Sequence, residues 1–351
     1  MKNTNIISPV FFDRNRVARV YTGGKLFADF FGDEPVDGFL PEEWVGSTVR
    51  ALNEGSTDPT EGISKVKGTN ILFSDLIAQY PNEMLGDRKE FDVLVKLLDS
   101  SIRLPVQCHP DHAYAKRHFH SEHGKAESWL ILATRENASI YFGFKEQVSR
   151  EDFEKAVDAS EHDQEAMSAF LNRIPVKPGD VYFIGAGMVH AIGAGCLILE
   201  VQEPTDFTVQ PERLCGDYRL SDYQMYLGLP RDIALDCFDF ASYGEEAIAK
   251  GRKTPITIQK TDDSHLEWLI SYEDTPCFGV KRLTVSGKDV AGADDTAIYV
   301  VTDGDGEICW NGQRAPIKKG NYFFIPHALK GQFTFSTDTQ MQLVICLPSK
   351  N

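Results

Sequence analysis

The stretch Pro175-Val-Lys-Pro-Gly-Asp-Val-Tyr-Phe-Ile184 aligns without gaps on Pro316-Ile-Lys-Lys-Gly-Asn-Tyr-Phe-Phe-Ile325, with five identities in ten positions. Each copy is typical of a strand, a glycine turn and a second strand. A repeat of one such unit indicates two related β domains in the same chain. We place their boundary near residue 253, which gives predicted domains of 1–252 and 253–351.

The sequence around both copies is rich in short β segments. Runs of Val, Ile, Phe and Tyr separated by turn residues are typical of β-sandwiches and barrels. Helical periodicity is confined to residues near 73–80, an insertion near 150–173 and a segment near 221–248. The chain is therefore predicted to be all-β dominated, with a helical insertion. The predicted strands are 92–98, 128–133, 138–142, 181–184, 196–201, 278–285, 297–301, 322–325 and 341–347.

Composition excludes some classes of partner. The 351 residues include 36 Lys and Arg against 52 Asp and Glu, a formal charge of −16. Nucleic acids and anionic membranes bind cationic surfaces, so neither is an expected partner. A small phosphorylated substrate needs only a few local cations and is compatible with this charge. The 7 cysteines are scattered without a CxxC pair, which favours reduced thiols and a cytoplasmic location.

Four polar residues could form a metal site. Gln107 and His109 are two apart in an extended phrase, so they point to one side while Cys108 points to the other. Glu127 opens a predicted strand, and His190 follows the second strand of the first repeat. An amide, a carboxylate and two imidazoles suit a zinc-like ion. Nine histidines can also produce such a set by chance, and that alternative stays open.

The second repeat lacks this chemistry. Its position equivalent to His190 is Gly331, and His327 is offset from it with no Gln-x-His phrase upstream. We therefore expect a metal in the first domain alone.

Other candidate sites are weaker. His118, His120 and His123 do not share a helix face, so a solvated surface is favoured for them. Cys108 has no Cys-His-Asn pattern around it, which favours a buried inert thiol over a nucleophile.

Several phrases carry a family resemblance. They are Phe91–Leu98 (FDVLVKLL), Leu104–Asp111 (LPVQCHPD), Gly124–Trp129 (GKAESW), Val176–Ile192 (VKPGDVYFIGAGMVHAI) and Glu200–Asp206 (EVQEPTD). In this order and spacing the sequence resembles the type I mannose-6-phosphate isomerase (phosphomannose isomerase) family of the cupin superfamily. The resemblance implies two cupin β-barrel or jelly-roll domains with a helical insertion, of which only the first holds metal.

The resemblance also implies the site. One zinc ion per chain would be held by Gln107, His109, Glu127 and His190, the same four residues that spacing suggested. Lys125 matches an active-site lysine for phosphate or proton handling, and Lys96 matches a family lysine expected to bind substrate. The implied activity is interconversion of mannose 6-phosphate and fructose 6-phosphate through an enediol.

Two positions depart from the family pattern. Pro105 stands where the family usually has serine, and Gln210, still a candidate substrate-binding position, stands where it has an active-site arginine. Arg213, three residues further on, is the candidate to supply the missing catalytic cation. The departures leave three alternatives: an isomerase for another sugar or sugar phosphate, a metal-containing sugar-binding cupin without turnover, and a purely structural cupin.

Overall fold

The computed structural model describes residues 8–293 and 295–350, so the outer ends of the predicted domains, residues 1–7 and 351, lie outside the described residues, as does residue 294. The described part of the chain is dominated by antiparallel strands, with short helices between them. The helices are α1 (Phe27–Phe31), α2 (Phe73–Gln79), α3 (Pro81–Leu85), α4 (His112–Phe119), α5 (Arg150–Ala159), α6 (Asp222–Tyr226), α7 (Arg231–Leu235) and α8 (Gly244–Gly251), with single 3₁₀ turns at Ser168–Phe170 and His327–Leu329.

The strands of the first half are β1 (Val10–Phe11), β2 (Arg16–Val17), β3 (Glu42–Val45), β4 (Leu94–Ser100), β5 (Glu127–Thr134), β6 (Ser139–Phe144), β7 (Leu171–Pro175), β8 (Val181–Ile184), β9 (His190–Ile192), β10 (Cys196–Gln202), β11 (Leu214–Cys215), β12 (Tyr218–Arg219) and β13 (Arg252–Lys253). Those of the second half are β14 (Ile256–Lys260), β15 (Ser264–Ile270), β16 (Gly279–Val285), β17 (Val290–Ala291), β18 (Ala297–Trp310), β19 (Gln313–Lys318), β20 (Tyr322–Ile325), β21 (Phe333–Ser336) and β22 (Met341–Leu347).

The strand–glycine–strand repeat at residues 175–184 and 316–325 is also a repeat of the structure. The first copy runs from β7 through a turn into β8, and the second runs from β19 through a turn into β20. Gly179 and Gly320 hold those turns with φ of 94° and 85°, a backbone conformation that favours glycine. Every predicted strand has an observed counterpart, and β8, β20 and β22 match their predicted bounds residue for residue.

Two of the predicted helical segments differ from the structure in their extent. In the insertion predicted near 150–173, the helix ends at Ala159, and Leu171–Pro175 is a strand that pairs with β6. Leu171 and Ile174 are buried there, so this part of the insertion serves the core as a strand. The segment near 221–248 is helical, but it forms the three short helices α6 to α8, with Pro230 just before α7 and Gly244 at the start of α8.

Two large antiparallel sheets form the body of the molecule. In the seven-stranded sheet the order is β13-β8-β5-β10-β4-β3-β2. The ten-stranded sheet has the order β1-β20-β18-β22-β16-β15-β14, with β17, β19 and β21 off this path. Strand β1 pairs with β20, so the start of the described chain belongs to the sheet of the second half. A three-stranded sheet (β7-β6-β9) and the β11-β12 pair complete the topology.

Alternating side chains give the seven-stranded sheet two buried faces. Leu130 and Leu199 pack toward the ten-stranded sheet, in one cluster with Ile298 and Val344. Trp129 and the other residues of its face join a separate cluster with the three-stranded sheet and the short helices. A further apolar core lies within the second half of the chain. The seven-stranded sheet is therefore held by packing on both sides.

This arrangement fixes a row of charged side chains. Lys96, Glu127 and Glu200 belong to the neighbouring strands β4, β5 and β10, and Glu200 lies directly opposite Lys96 in the register. By strand alternation they share the face of Trp129, away from the ten-stranded sheet. None of the helices in residues 8–293 and 295–350 is long and apolar enough to cross a membrane.

Candidate metal centre and active site

Two imidazoles and a carboxylate meet inside the protein. Nε2 of His109 lies 3.1 Å from Oε2 of Glu127, and Nε2 of His190 lies 3.5 Å from Oε1 of the same carboxylate. All three side chains are buried, and their possible ligand atoms lie within 4.8 Å of one another. Nitrogen and oxygen donors clustered in this way suit a divalent ion.

Backbone pairing brings these residues together. Gln107 and His190 exchange N–H···O=C bonds of 2.9 Å in both directions, which aligns the phrase after β4 with the start of β9. Gln107 and His109 line the resulting cavity, whereas Cys108 is buried in the apolar core. Burial raises the pKa of Cys108, which fits an inert thiol. The strand alternation inferred from sequence is therefore present.

The two histidines have the form that metal binding requires. Nδ1 of His109 donates to the Phe207 carbonyl at 3.0 Å, and Nδ1 of His190 donates to the Met188 carbonyl at 2.8 Å. Each Nε2 is then the unprotonated nitrogen and faces Glu127. Within the described chain, the buried Nε2 of His190 makes no hydrogen bond. Backbone carbonyls commonly orient metal-binding histidines in this way, so the residues fit a divalent ion.

Burial keeps both imidazoles neutral. It lowers the pKa of His190 to about 3, assisted by the neighbouring His109, and it lowers the pKa of His109 with the help of Lys125. Neutral imidazole is the state that binds metal.

Lys125 lies among these groups. Its Nζ is 2.7 Å from Glu127 Oε2 and donates to His109 Nε2 at 2.8 Å. Burial would raise the pKa of Glu127, but the Lys125 ammonium holds it well below its usual range. Trp129 Nε1–H donates to the other oxygen at 3.0 Å, so Glu127 is ionised and fixed.

Lys96 and Glu200 form a second charged pair in the same cavity. Nζ of Lys96 lies 3.1 Å from Glu200 Oε1, and both side chains are buried. Burial and the nearby Glu127 raise the pKa of Glu200, and Lys96 opposes that shift. A carboxyl group with a raised pKa can exchange protons nearer neutral pH than an ordinary glutamate. One signal in the sequence marks both residues: each is a charge with apolar neighbours on both sides within a strand.

Arg19 lines this cavity and was missed by sequence reasoning. Its Nη2 lies 3.0 and 3.1 Å from the two Asp206 oxygens, and its Nε lies 3.0 Å from Glu42 Oε2. Tyr21 and Trp44 each donate to Glu42 at 2.7 Å, which completes a buried network. No motif surrounds Arg19, and Asp206 is 187 residues away in sequence. Local pattern therefore gave no signal for it.

Arg213, the candidate for the missing cation, bonds carboxylates of its own. Arg213 is absent from the cavity lining and instead bonds Glu161 at 2.8 Å and Asp222 at 2.7 Å. Both contacts pair its guanidinium with a carboxylate, and its catalytic role stays a prediction. Pro105 and Gln210 do line the cavity, and Gln210 Nε2 donates to the Gln224 carbonyl at 3.0 Å.

The other histidine candidates lie apart from the site. The His118 ring packs at a tilt against Tyr114, His123 is 3.0 Å from Glu90, and His120 ends α4 in a left-handed conformation. They have separate partners, as expected for a solvated surface. Among the described residues, His327 belongs to no cluster of possible metal ligands.

Comparison with known proteins identifies the family. Residues 270–348 match the family model described as mannose-6-phosphate isomerase, cupin domain. Over 340 residues the chain is 30% identical to mannose-6-phosphate isomerase ManA of Bacillus subtilis (strain 168), covering 93% of this chain and 95% of the relative. The chain belongs to the mannose-6-phosphate isomerase family. The predicted cupin family and isomerase class are thereby confirmed.

Solved structures agree on the fold. A mannose 6-phosphate isomerase from Bacillus subtilis superimposes with a TM-score of 0.75 at 24% identity, over 96% of this chain and 99% of that chain. A mannose 6-phosphate isomerase bound with zinc and yttrium gives a TM-score of 0.70 at 17% identity, over 98% and 100%. The match extends over nearly the whole length of this member of the family.

Replacing His190 with alanine should remove the metal ion of this site without unfolding the protein. The side chain offers an unpaired Nε2 to the site, while the sheets on either side have their own apolar cores. We expect the metal content of His190→Ala, measured by elemental analysis, to fall by one ion per chain, with an unchanged circular dichroism spectrum. His162→Ala, at an exposed position, is the control and should keep wild-type metal content. Wild-type metal content in His190→Ala would refute the assignment.

Proposed function

We propose that this protein is a metal-dependent aldose–ketose isomerase whose substrate pair is mannose 6-phosphate and fructose 6-phosphate. Its similarity to mannose-6-phosphate isomerases supports mannose 6-phosphate as the aldose of this pair. The observation that carries the proposal is one cavity that holds both a metal-type donor set and a buried carboxyl group with a raised pKa. Isomerisation needs both functions, because a carbon-bound proton must move while charge builds on oxygen.

Gln107, His109, Glu127 and His190 are the residues that would hold the metal, and the N and O donors support zinc, one ion per chain at this site. A bound divalent ion supplies Lewis-acid stabilisation of negative charge on the substrate oxygens. The protein contributes the fixed geometry. Glu127 is oriented by Trp129, and both imidazoles are oriented by backbone carbonyls.

We assign proton transfer between C1 and C2 to Glu200. As a carboxylate it removes the proton from one carbon, and as the acid it returns the proton to the other, through an enediol. Its burial and raised pKa bring it closer to the operating pH, which favours general acid–base catalysis. The Lys96 ammonium at 3.1 Å holds the carboxylate in place on the sheet.

We assign Lys125 to binding the substrate oxygens and stabilising negative charge on them. Its ammonium lies in the cavity beside two metal-ligand candidates, and it is 4% exposed, so water screens its charge weakly. A donor held there stabilises the negative charge that develops on oxygen as the carbon-bound proton leaves.

Glu200→Gln should keep the metal and lose turnover. The amide has the same shape but cannot carry the proton, so kcat for mannose 6-phosphate should fall roughly 10²- to 10⁴-fold. The measurement is fructose 6-phosphate formation, together with metal content. Glu136→Gln, at an exposed turn, serves as the matched control. A Glu200→Gln enzyme with wild-type kcat would mean that another group moves the proton.

Position 210 is an arginine in the family but a neutral glutamine here. Arg19 is the candidate to supply the positive charge in its place. It is fixed by four polar partners (Glu42, Asn53 and both oxygens of Asp206) and lines the same cavity as Gln210. A guanidinium presents several donors to a phosphate or a developing oxyanion, whereas glutamine has no charge. We therefore propose that Arg19, in the N-terminal segment, supplies the positive charge that the family has at position 210.

Exchanging the two positions tests this compensation. Arg19→Gln should lower kcat/KM for mannose 6-phosphate roughly a hundredfold, the cost of losing one preorganised donor. Adding Gln210→Arg in that background should restore part of the loss. Arg19→Lys keeps the charge and serves as a second variant if Arg19→Gln folds poorly.

Arg213→Gln is the control, because Arg213 lies outside the cavity, and its kcat/KM should stay near wild type. The compensation idea fails if Arg213→Gln is as damaging as Arg19→Gln, or if Gln210→Arg gives no recovery.

A second candidate is the same reaction on another sugar, phosphorylated or not. One observation favours it: each of the cavity's cations Arg19, Lys96 and Lys125 is already paired with a carboxylate. Pro105 adds neither a hydroxyl nor an N–H donor for phosphate. Assaying free mannose and other aldose phosphates beside mannose 6-phosphate separates the two candidates, and a protein that binds sugar without any turnover would be the non-catalytic cupin.

The domain division belongs to this proposal too. We propose that the N-terminal domain, residues 1–252, is the catalytic cupin barrel and that residues 253–351 form a cupin barrel without a metal site. The structural repeat and the absence of a His190 equivalent at Gly331 support this division. The seven free cysteines support the proposed cytoplasmic location.

A further inference from the structure

A second group of potential metal ligands lies beside the backbone of residues 124–126, the segment that contains Lys125. It consists of His112 at the start of α4, Glu203 just after β10, and Cys277 in the loop before β16. Nε2 of His112 lies 2.5 Å from Glu203 Oε1 and 3.7 Å from Cys277 Sγ. Three elements far apart in sequence thus bring nitrogen, oxygen and sulfur donors to one point.

Glu203 is the most rigidly held member of this group. It is 2% exposed, and its carboxylate accepts backbone N–H bonds from Gly124 at 3.2 Å and Ala126 at 2.9 Å. These bonds hold the carboxylate, so its orientation does not depend on His112. Gly124 and Ala126 flank Lys125 in sequence, which fixes the cluster to the segment that carries the active-site lysine.

The separations suit a tetrahedral ion. Zinc–sulfur and zinc–nitrogen bonds of about 2.3 and 2.0 Å at a tetrahedral angle place sulfur and nitrogen roughly 3.5 Å apart. The observed 3.7 Å between Cys277 Sγ and His112 Nε2 is close to that value. The His112–Glu203 contact needs to lengthen by less than about 1 Å, and His112, at 57% side-chain exposure, is free to turn.

We propose that His112, Glu203 and Cys277 form a second metal site, which takes a thiophilic divalent transition ion of the zinc class. It differs from the first site in having a sulfur donor and an open side toward solvent, where water completes the coordination. Binding releases the thiol proton of Cys277 to solvent. The ion ties the loop before β16 to α4, and so links the second half of the chain to the catalytic half.

Cobalt distinguishes the two sites by their donors. A thiolate ligand gives Co²⁺ an intense near-ultraviolet charge-transfer band, which the nitrogen and oxygen donors of the first site cannot give. We expect the full-length protein titrated with Co²⁺ to show this band and to bind one more ion per chain than Cys277→Ser. His112→Ala should lose the band as well, whereas His190→Ala should keep it.

Cys309→Ser is the matched control, since Cys309 is partly buried in β18, away from the cluster, and its band should equal that of wild type. Both test positions are partly exposed, so circular dichroism should be unchanged. A wild-type protein without the band, or a band that persists in Cys277→Ser or His112→Ala, overturns the proposal.

Discussion

The buried carboxylate of Glu127 is the constraint on which the site depends. An ion taken out of water costs several kcal/mol unless its surroundings compensate. Here Lys125 and Trp129 supply part of that compensation, while two neutral imidazoles turn unprotonated nitrogens toward the same carboxylate. The proposed divalent cation would complete this arrangement, because the nitrogen and oxygen donors face one point. The seven-stranded sheet can hold such a group because apolar packing on both faces fixes its strands.

Much of the fold was predictable because it depends on local periodicity. The duplicated strand–glycine–strand phrase appears twice in the structure, and Val181–Ile184 and Tyr322–Ile325 have their predicted bounds. The insertion near 150–173 was only partly helical, because burial of Leu171 and Ile174 beside β6 outweighed the local helical pattern. The pairing of β1 with β20 was not foreseen, since a two-residue strand has no periodicity to detect.

The candidate site likewise contains residues that a local sequence pattern marks and residues that it does not. Gln107, His109, Glu127 and His190 were accessible because alternation and the repeat mark them, and Lys96 stands out as a charge within an apolar strand. Arg19 was not accessible, because its partners Glu42 and Asp206 come from distant segments and none of the three lies in a recognisable pattern. Arg213 was chosen for its nearness in sequence to Gln210, but Glu161 and Asp222 hold it outside the cavity. Convergence of charges across the fold is a property of tertiary structure.

The central claim is that one cavity joins a metal to an acid–base carboxyl group for sugar isomerisation. The most direct test is to strip metal from the wild-type protein with a chelator and follow conversion of mannose 6-phosphate to fructose 6-phosphate before and after zinc is returned. We predict that the stripped protein stays folded and inactive, and that zinc restores turnover. Full turnover by protein shown to contain no metal, or no turnover of any aldose by the zinc-loaded protein, would contradict the account.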